Sequence, residues 1–147
     1  AGVPHAYLEG QLIELMTSSD NVLRCGLTSK HVDPPAVLAH AVLEASPAHR
    51  VEATPREGQP GRMDYPCPVD DFLLSRWTLE PGQSVPIRQG GASILLVLDG
   101  NARIVAGDQI LERSRGQAAL SAGTTMLQLE ANTAVDVFMA SVPWPSS

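Results

Sequence analysis

Four residues near the start of this chain carry side chains suited to chemistry: His5, Glu14, Arg24 and Lys30. An imidazole can ligate a metal or move a proton near neutral pH. A guanidinium stays charged and presents several donors in one plane, which suits it to an oxyanion better than an ammonium. Arg24, Lys30 and His31 form a local positive cluster in a chain whose formal net charge is −6. Glu14 interrupts the apolar run Leu12-Ile13-Glu14-Leu15-Met16, where an unpaired carboxylate is costly and needs a partner. Each of these residues also has a plain structural explanation. A histidine after a proline is ordinarily a surface residue, a single arginine is ordinarily solvated or salt-bridged, and His31, His40 and His49 are most simply solvent-facing. A catalytic zinc site takes about three protein ligands, so His5 alone cannot make one. Cys25 and Cys67 lie too far apart in sequence for a short-range metal pair, and they are read as free thiols of a cytoplasmic protein rather than a disulfide.

The elements that must position these groups fall into three stretches. Residues 1–45 are expected to form a strand, a loop and a helix. The run from Leu12 to Met16 has the length of a buried strand, and the polar cluster Ser18-Ser19-Asp20-Asn21 reads as a turn. Asp33-Pro34-Pro35 is a helix start, with a capping carboxylate followed by prolines in the first turn. Val37, Leu38, Ala41 and Val42 continue it as an amphipathic stripe to about Glu44. Residues 46–70 are rich in Pro and Gly and read as a connection with an edge strand near Val51-Glu52-Ala53. Residues 71–147 read as short strands: Phe72–Leu79, Ser84–Ile87, Ser93–Leu98, Ala102–Ala106, Gln109–Glu112, Gln117–Leu120, Thr124–Leu129 and Val135–Ala140. Asp99-Gly100 reads as a hairpin turn and Gly107-Asp108 as a second turn.

Composition bounds the rest. Hydrophobic residues are 44% of the 147 but aromatics only 4%, so the core must rest on Leu, Val, Ile and Ala, with Trp77 and Trp144 as core or edge packing. The negative charge argues against nucleic acid as a partner, and no apolar run has the length of a membrane span. The opening Ala1-Gly2-Val3-Pro4-His5 has no initiator methionine and enters patterned sequence at once. It is read as a piece of something longer.

The strand block has the cadence of a cupin jelly roll, with Pro81-Gly82 and Asp99-Gly100 at the two turns of the first cupin motif. Its ligand slots are not filled by ligands. Arg88 and Gly90 stand where paired histidines would be, Ser93 or Ile94 where the carboxylate would be, and no histidine follows His49. The fold expected is therefore mainly β, a cupin-type antiparallel jelly roll without its metal site.

Pro4-His5-Ala6-Tyr7-Leu8-Glu9-Gly10, Ile13-Glu14-Leu15-Met16 and the stretch from Ser19 through Arg24-Cys25-Gly26-Leu27-Thr28-Ser29-Lys30 to Asp33 closely resemble the signature of the type I phosphomannose isomerases. These are cupin-superfamily enzymes that interconvert mannose 6-phosphate and fructose 6-phosphate with zinc. The resemblance runs over about thirty residues with spacing intact, and the helix and jelly roll extend it to the family's C-terminal part. It implies that His5 is the last metal ligand and that Arg24 is the catalytic arginine over the developing enediolate. It places Lys30 and Glu14 as candidate substrate-binding residues, with Asp20 at a further acidic position of the motif. Thr17, Cys25 and Ser29 depart from the usual residues without removing a reactive group. The family's other ligands, a glutamine, a histidine and a glutamate, come from upstream. The implied partners are thus a sugar phosphate and the enzyme's N-terminal half, and this chain alone is expected to be inactive. The competing expectations are a non-catalytic cupin-like module binding a sugar or a protein, and a purely structural lobe.

Overall fold

The computed structural model of the chain describes residues 2–16, 18–19, 22–45, 50–88, 90–123 and 126–142. The chain divides into two compact units, Ala1–His49 and Arg50–Ser147. His49, Asp20 and Trp144, all named above, lie outside the described residues.

The described residues of the first unit hold one helix, α1 (Pro34–His40). Asp33 caps it, its side chain accepting the Ala36 N–H at 3.0 Å, and Pro occupies the first turn, where a missing N–H costs nothing. The helix stops at His40, short of the expected Glu44, because Ala41 adopts an extended conformation (ψ 137°). The strand expected at Leu12–Met16 is not formed. Leu12 and Met16 are half exposed, and the described residues of this unit contain no strand to pair with. Apolar side chains alone do not make a strand, because the backbone N–H and C=O groups also need a ladder.

The second unit contains every strand found among the described residues: β1 (Thr54–Pro55), β2 (Arg62–Tyr65), β3 (Leu73–Leu79), β4 (Ser84–Ile87), β5 (Ala92–Asp99), β6 (Asn101–Ala106), β7 (Gln109–Ser114), β8 (Ala118–Ala122), β9 (Leu127–Ala131) and β10 (Val135–Ser141). They form one sheet in the order β1-β2-β3-β10-β5-β8 and another in the order β4-β9-β6-β7, with all pairings antiparallel. From β3 onward the chain crosses repeatedly between the sheets, which is the winding of a jelly roll. β1 and β2 extend the larger sheet. They arise inside the stretch read as a connection, whose prolines and glycines bracket a short hairpin rather than exclude one.

Inward positions alternate along the strands and close the core. Val135, Val137 and Met139 of β10 meet Leu127, Leu129 and Ala131 of β9, Leu95 and Val97 of β5 and Ile104 of β6, all nearly inaccessible. Trp77, fully buried, is the one large aromatic among them. The core is otherwise aliphatic, as the composition requires.

Asp99-Gly100 is not a hairpin. β5 pairs with β10 and β8, whereas β6 pairs with β7 and β9, so the chain changes sheets at this corner. Gly100 has φ +79°, and a Cβ there would strike the Ala134 carbonyl oxygen and approach Thr133 Oγ1 at 2.9 Å. Thr133 Oγ1 also accepts the Asn101 N–H at 2.9 Å, which fixes the corner. Gly107-Asp108 does join a hairpin, with Ala106 opposite Gln109 across a two-residue turn.

At β2 the inner face of the larger sheet becomes polar. Arg62, 8% exposed, donates through Nε to Asp64 Oδ1 at 2.6 Å, through Nη1 to Gln59 Oε1 at 2.6 Å and through Nη2 to Ser75 Oγ at 3.1 Å. Ser75 in turn donates to Asp64 Oδ1 at 2.8 Å, and the guanidinium lies 5.3 Å from the Trp77 ring centre. On the outer face Arg76 grips both oxygens of Asp136 at 2.8 Å. That hydrogen bond raises the Arg76 pKa further, against a smaller opposing effect of burial.

Three outcomes follow from this packing. Gly100→Ala should lower stability by about 3 kcal/mol, from left-handed backbone strain plus the carbonyl clash, read as a fall in the urea midpoint. Asp64→Ala, which leaves a buried guanidinium short of its counter-charge, should also cost about 3 kcal/mol. Glu112→Ala, which removes an exposed partner 3.7 Å from Arg103, should cost less than about 0.5 kcal/mol in the same titration.

Candidate functional site

All four candidate residues lie in the first unit, and helix α1 organises the backbone that carries two of them. At its N-terminal end the Asp33 N–H donates to the Arg24 carbonyl at 2.9 Å, closing a loop from Arg24 to Asp33. Just beyond its C-terminal end the Val42 N–H donates to the Gly2 carbonyl at 2.7 Å. Gly2 (φ +82°) lies close enough that an added Cβ would stand 3.1 Å from the His40 carbonyl oxygen. The seven-residue helix therefore acts as a strut of roughly 10 Å, at 1.5 Å per residue. One end holds the arginine loop and the other holds the segment that leads in three residues to His5.

His5 is exposed, with Nδ1 3.1 Å from the Val3 carbonyl oxygen. A carbonyl can only accept, so Nδ1 is the donor in this contact. The His5 ring meets Tyr7 edge-on, with centroids 5.7 Å apart. Tyr7 in turn donates to Glu14 Oε1 at 3.4 Å. The Tyr7 phenol is held above its ordinary pKa, first by desolvation and then by the charge of Glu14 and the hydrogen bond to it. Glu14 thus has the partner its position demanded, although it is exposed rather than buried. The link from His5 through Tyr7 to Glu14 was not visible in the sequence. Tyr7 stands within the motif, but only the fold shows that it bridges residues nine positions apart.

Arg24 is half buried, and its guanidinium makes one long hydrogen bond, Nη1 to the Val22 carbonyl at 3.4 Å. Among the described residues it forms no ion pair. Its backbone is fixed by Asp33, and among the described residues its charged end makes only that one long contact. The loop beyond turns through Leu27 (φ +56°, 96% exposed), and Thr28 Oγ1 accepts the Lys30 N–H at 3.1 Å. The side chains of Lys30, His31 and His40 are exposed. Cys25 and Cys67 are both free thiols.

Nowhere among the described residues do three His, Cys, Asp or Glu side chains gather around a point. In the jelly roll Arg88 is exposed, Gly90 is half buried and Ser93 is buried, and none of them lies in a metal-binding group.

No family model matches the chain. It is 41% identical over 122 residues to the mannose-6-phosphate isomerase of Escherichia coli K12, an alignment covering 83% of this chain and 31% of that protein. It is 31% identical over 146 residues to the mannose-6-phosphate isomerase of Cryptococcus neoformans, covering 97% and 34%. Among solved structures it is similar to the Salmonella typhimurium mannose 6-phosphate isomerase bound to fructose 6-phosphate and zinc. The TM-score is 0.72 and the identity 28%, over 86% of this chain and 32% of the other. The chain spans about a third of the length of the curated relatives it matches. Sequence and fold agree: the chain belongs to the type I phosphomannose isomerase family and corresponds to a C-terminal portion of it.

Proposed function

We propose that this chain contributes the arginine loop and one metal ligand to a zinc-dependent aldose–ketose isomerase that interconverts mannose 6-phosphate and fructose 6-phosphate. The observation that carries the reading is the state of Arg24, whose backbone is anchored to the helix cap while its guanidinium makes one long hydrogen bond and no ion pair among the described residues. An arginine fixed at its base and free at its tip suits charge that appears during a reaction.

Isomerisation moves a proton between adjacent carbons through an enediolate. In this reading Arg24 faces the developing oxyanion, and its planar donors stabilise charge that the ground-state sugar lacks. His5 supplies one ligand through Nε2, with the Val3 carbonyl holding its tautomer. Tyr7 and Glu14 brace the segment that carries His5. In the same reading Lys30 and Glu14 are substrate-binding residues. Zinc, when bound, would polarise the sugar oxygens as a Lewis acid.

One histidine is too few ligands for a catalytic zinc. The remaining ligands belong to polypeptide upstream in the family, and the 147-residue chain by itself is inactive in this reading. Its partners are the sugar phosphate and that upstream half, and its compartment is the cytoplasm. No helix among the described residues is long and apolar enough to cross a membrane.

In the complete enzyme, Arg24→Ala should reduce kcat by about a hundred- to a thousandfold, the loss expected for one oxyanion-stabilising donor, with zinc content unchanged by atomic absorption. Near-normal turnover in that variant would remove the role assigned to Arg24. His5→Ala should instead deplete zinc. The isolated chain, assayed with mannose 6-phosphate, should show no isomerisation above background, and a rate near that of an intact isomerase would overturn the dependence on upstream ligands.

A further inference from the structure

Arg24 and Asp33 bound a loop whose intervening residues, Cys25 to Val32, are all exposed, whereas the two ends are half buried. Burial therefore does little to fix its course. The Asp33 N–H closes the loop by donating to the Arg24 carbonyl at 2.9 Å, and no other backbone hydrogen bond among the described residues spans it. The other contacts of Asp33 run to the helix. Its Oδ1 accepts the Ala36 N–H at 3.0 Å, and its carbonyl accepts the Val37 N–H at 3.0 Å. One residue thus joins the first turn of α1 to the peptide unit that carries the Arg24 side chain.

We propose that Asp33 is a positioning residue for the isomerisation: by capping α1 it holds the Arg24 guanidinium in place for the developing oxyanion. This rests on the role assigned to Arg24 above. Without the Oδ1 acceptor the Ala36 N–H loses its partner and the first turn of the helix frays. The Asp33 N–H then no longer points in a fixed direction toward the Arg24 carbonyl. The guanidinium stands several bonds beyond that carbonyl, so a small rotation at the tether is magnified at the charged tip. Misplacing a reacting group by about 1 Å can cost about a hundredfold in rate. Asp33 acts as a hydrogen-bond acceptor rather than as a charge, since it forms no ion pair among the described residues.

The test is kcat, KM and zinc content of variants of the complete enzyme, assayed with mannose 6-phosphate. Asp33→Ala should lower kcat by between about twofold and thirtyfold, the factor by which loss of one N-cap side chain shifts a local equilibrium. KM should change less, because the oxyanion charge appears only as the reaction proceeds, and zinc should be retained. Asp33→Asn, an equally good cap without the charge, should restore most of the loss. Asp33→Glu, which keeps the charge but is not a preferred cap, should behave like the alanine variant. Combined with Arg24→Ala, Asp33→Ala should lower kcat no further, because its effect passes through the missing guanidinium. A merely structural role would multiply with Arg24→Ala instead. Near-normal turnover in Asp33→Ala, losses that multiply in the double variant, a loss that follows charge rather than capping, or zinc depletion in Asp33→Ala and Asp33→Glu would each overturn the role of Asp33. None of these touches the reading of Arg24. Near-normal turnover of Arg24→Ala alone would remove that reading, and this inference with it.

Discussion

Strand β10 lies inside the larger sheet, between β3 and β5. Val135–Ser141 pairs along one edge with Leu73–Leu79 and along the other with Ala92–Asp99, partners that precede it by roughly forty to seventy positions. Its inward residues Val135, Val137 and Met139 then seal the aliphatic core. Neither β3 nor β5 has its full ladder until β10 arrives, so the jelly roll closes only when distant segments meet. That dependence on non-local pairing makes such folds slow to form. It also explains why the corner at Gly100 tolerates so little. The corner sends β6 into the other sheet and leaves one edge of β5 to β10.

The two units are held by different kinds of force. The jelly roll rests on burial, with polar groups admitted to its interior chiefly as the closed network of Arg62, Asp64, Ser75 and Gln59. The first unit has no fully buried residue among those described. It relies on a capped helix and a few backbone hydrogen bonds at that helix's two ends. An arrangement of that kind sets the course of a loop without enclosing a site.

The secondary structure was legible where local chemistry and the final partner agreed. Asp33-Pro34-Pro35 started a helix because the cap is local, and Ser84–Ile87 and Val135–Ala140 alternated because one face of each strand is buried. The reading failed where a partner elsewhere decides. Leu12–Met16 has strand composition but no ladder, Asp99-Gly100 has turn chemistry but separates two sheets, and Arg62–Tyr65 is a strand because β3 lies beside it. His5, Glu14, Arg24 and Lys30 could be singled out by residue type and motif, whereas Tyr7 as the bridge between His5 and Glu14 could not.

What the sequence by itself determined was the family, the all-β character of the larger unit, its aliphatic core, and the lack of histidine ligands in the jelly roll. These follow from residue identity and periodicity, which any fold must respect. The tertiary structure alone decided the strand order, the switch between sheets at Gly100, and the closure of the Arg24 loop by Asp33. Each of these is a relation between residues far apart in sequence, set by which backbone groups and faces satisfy one another, and no local pattern records that choice.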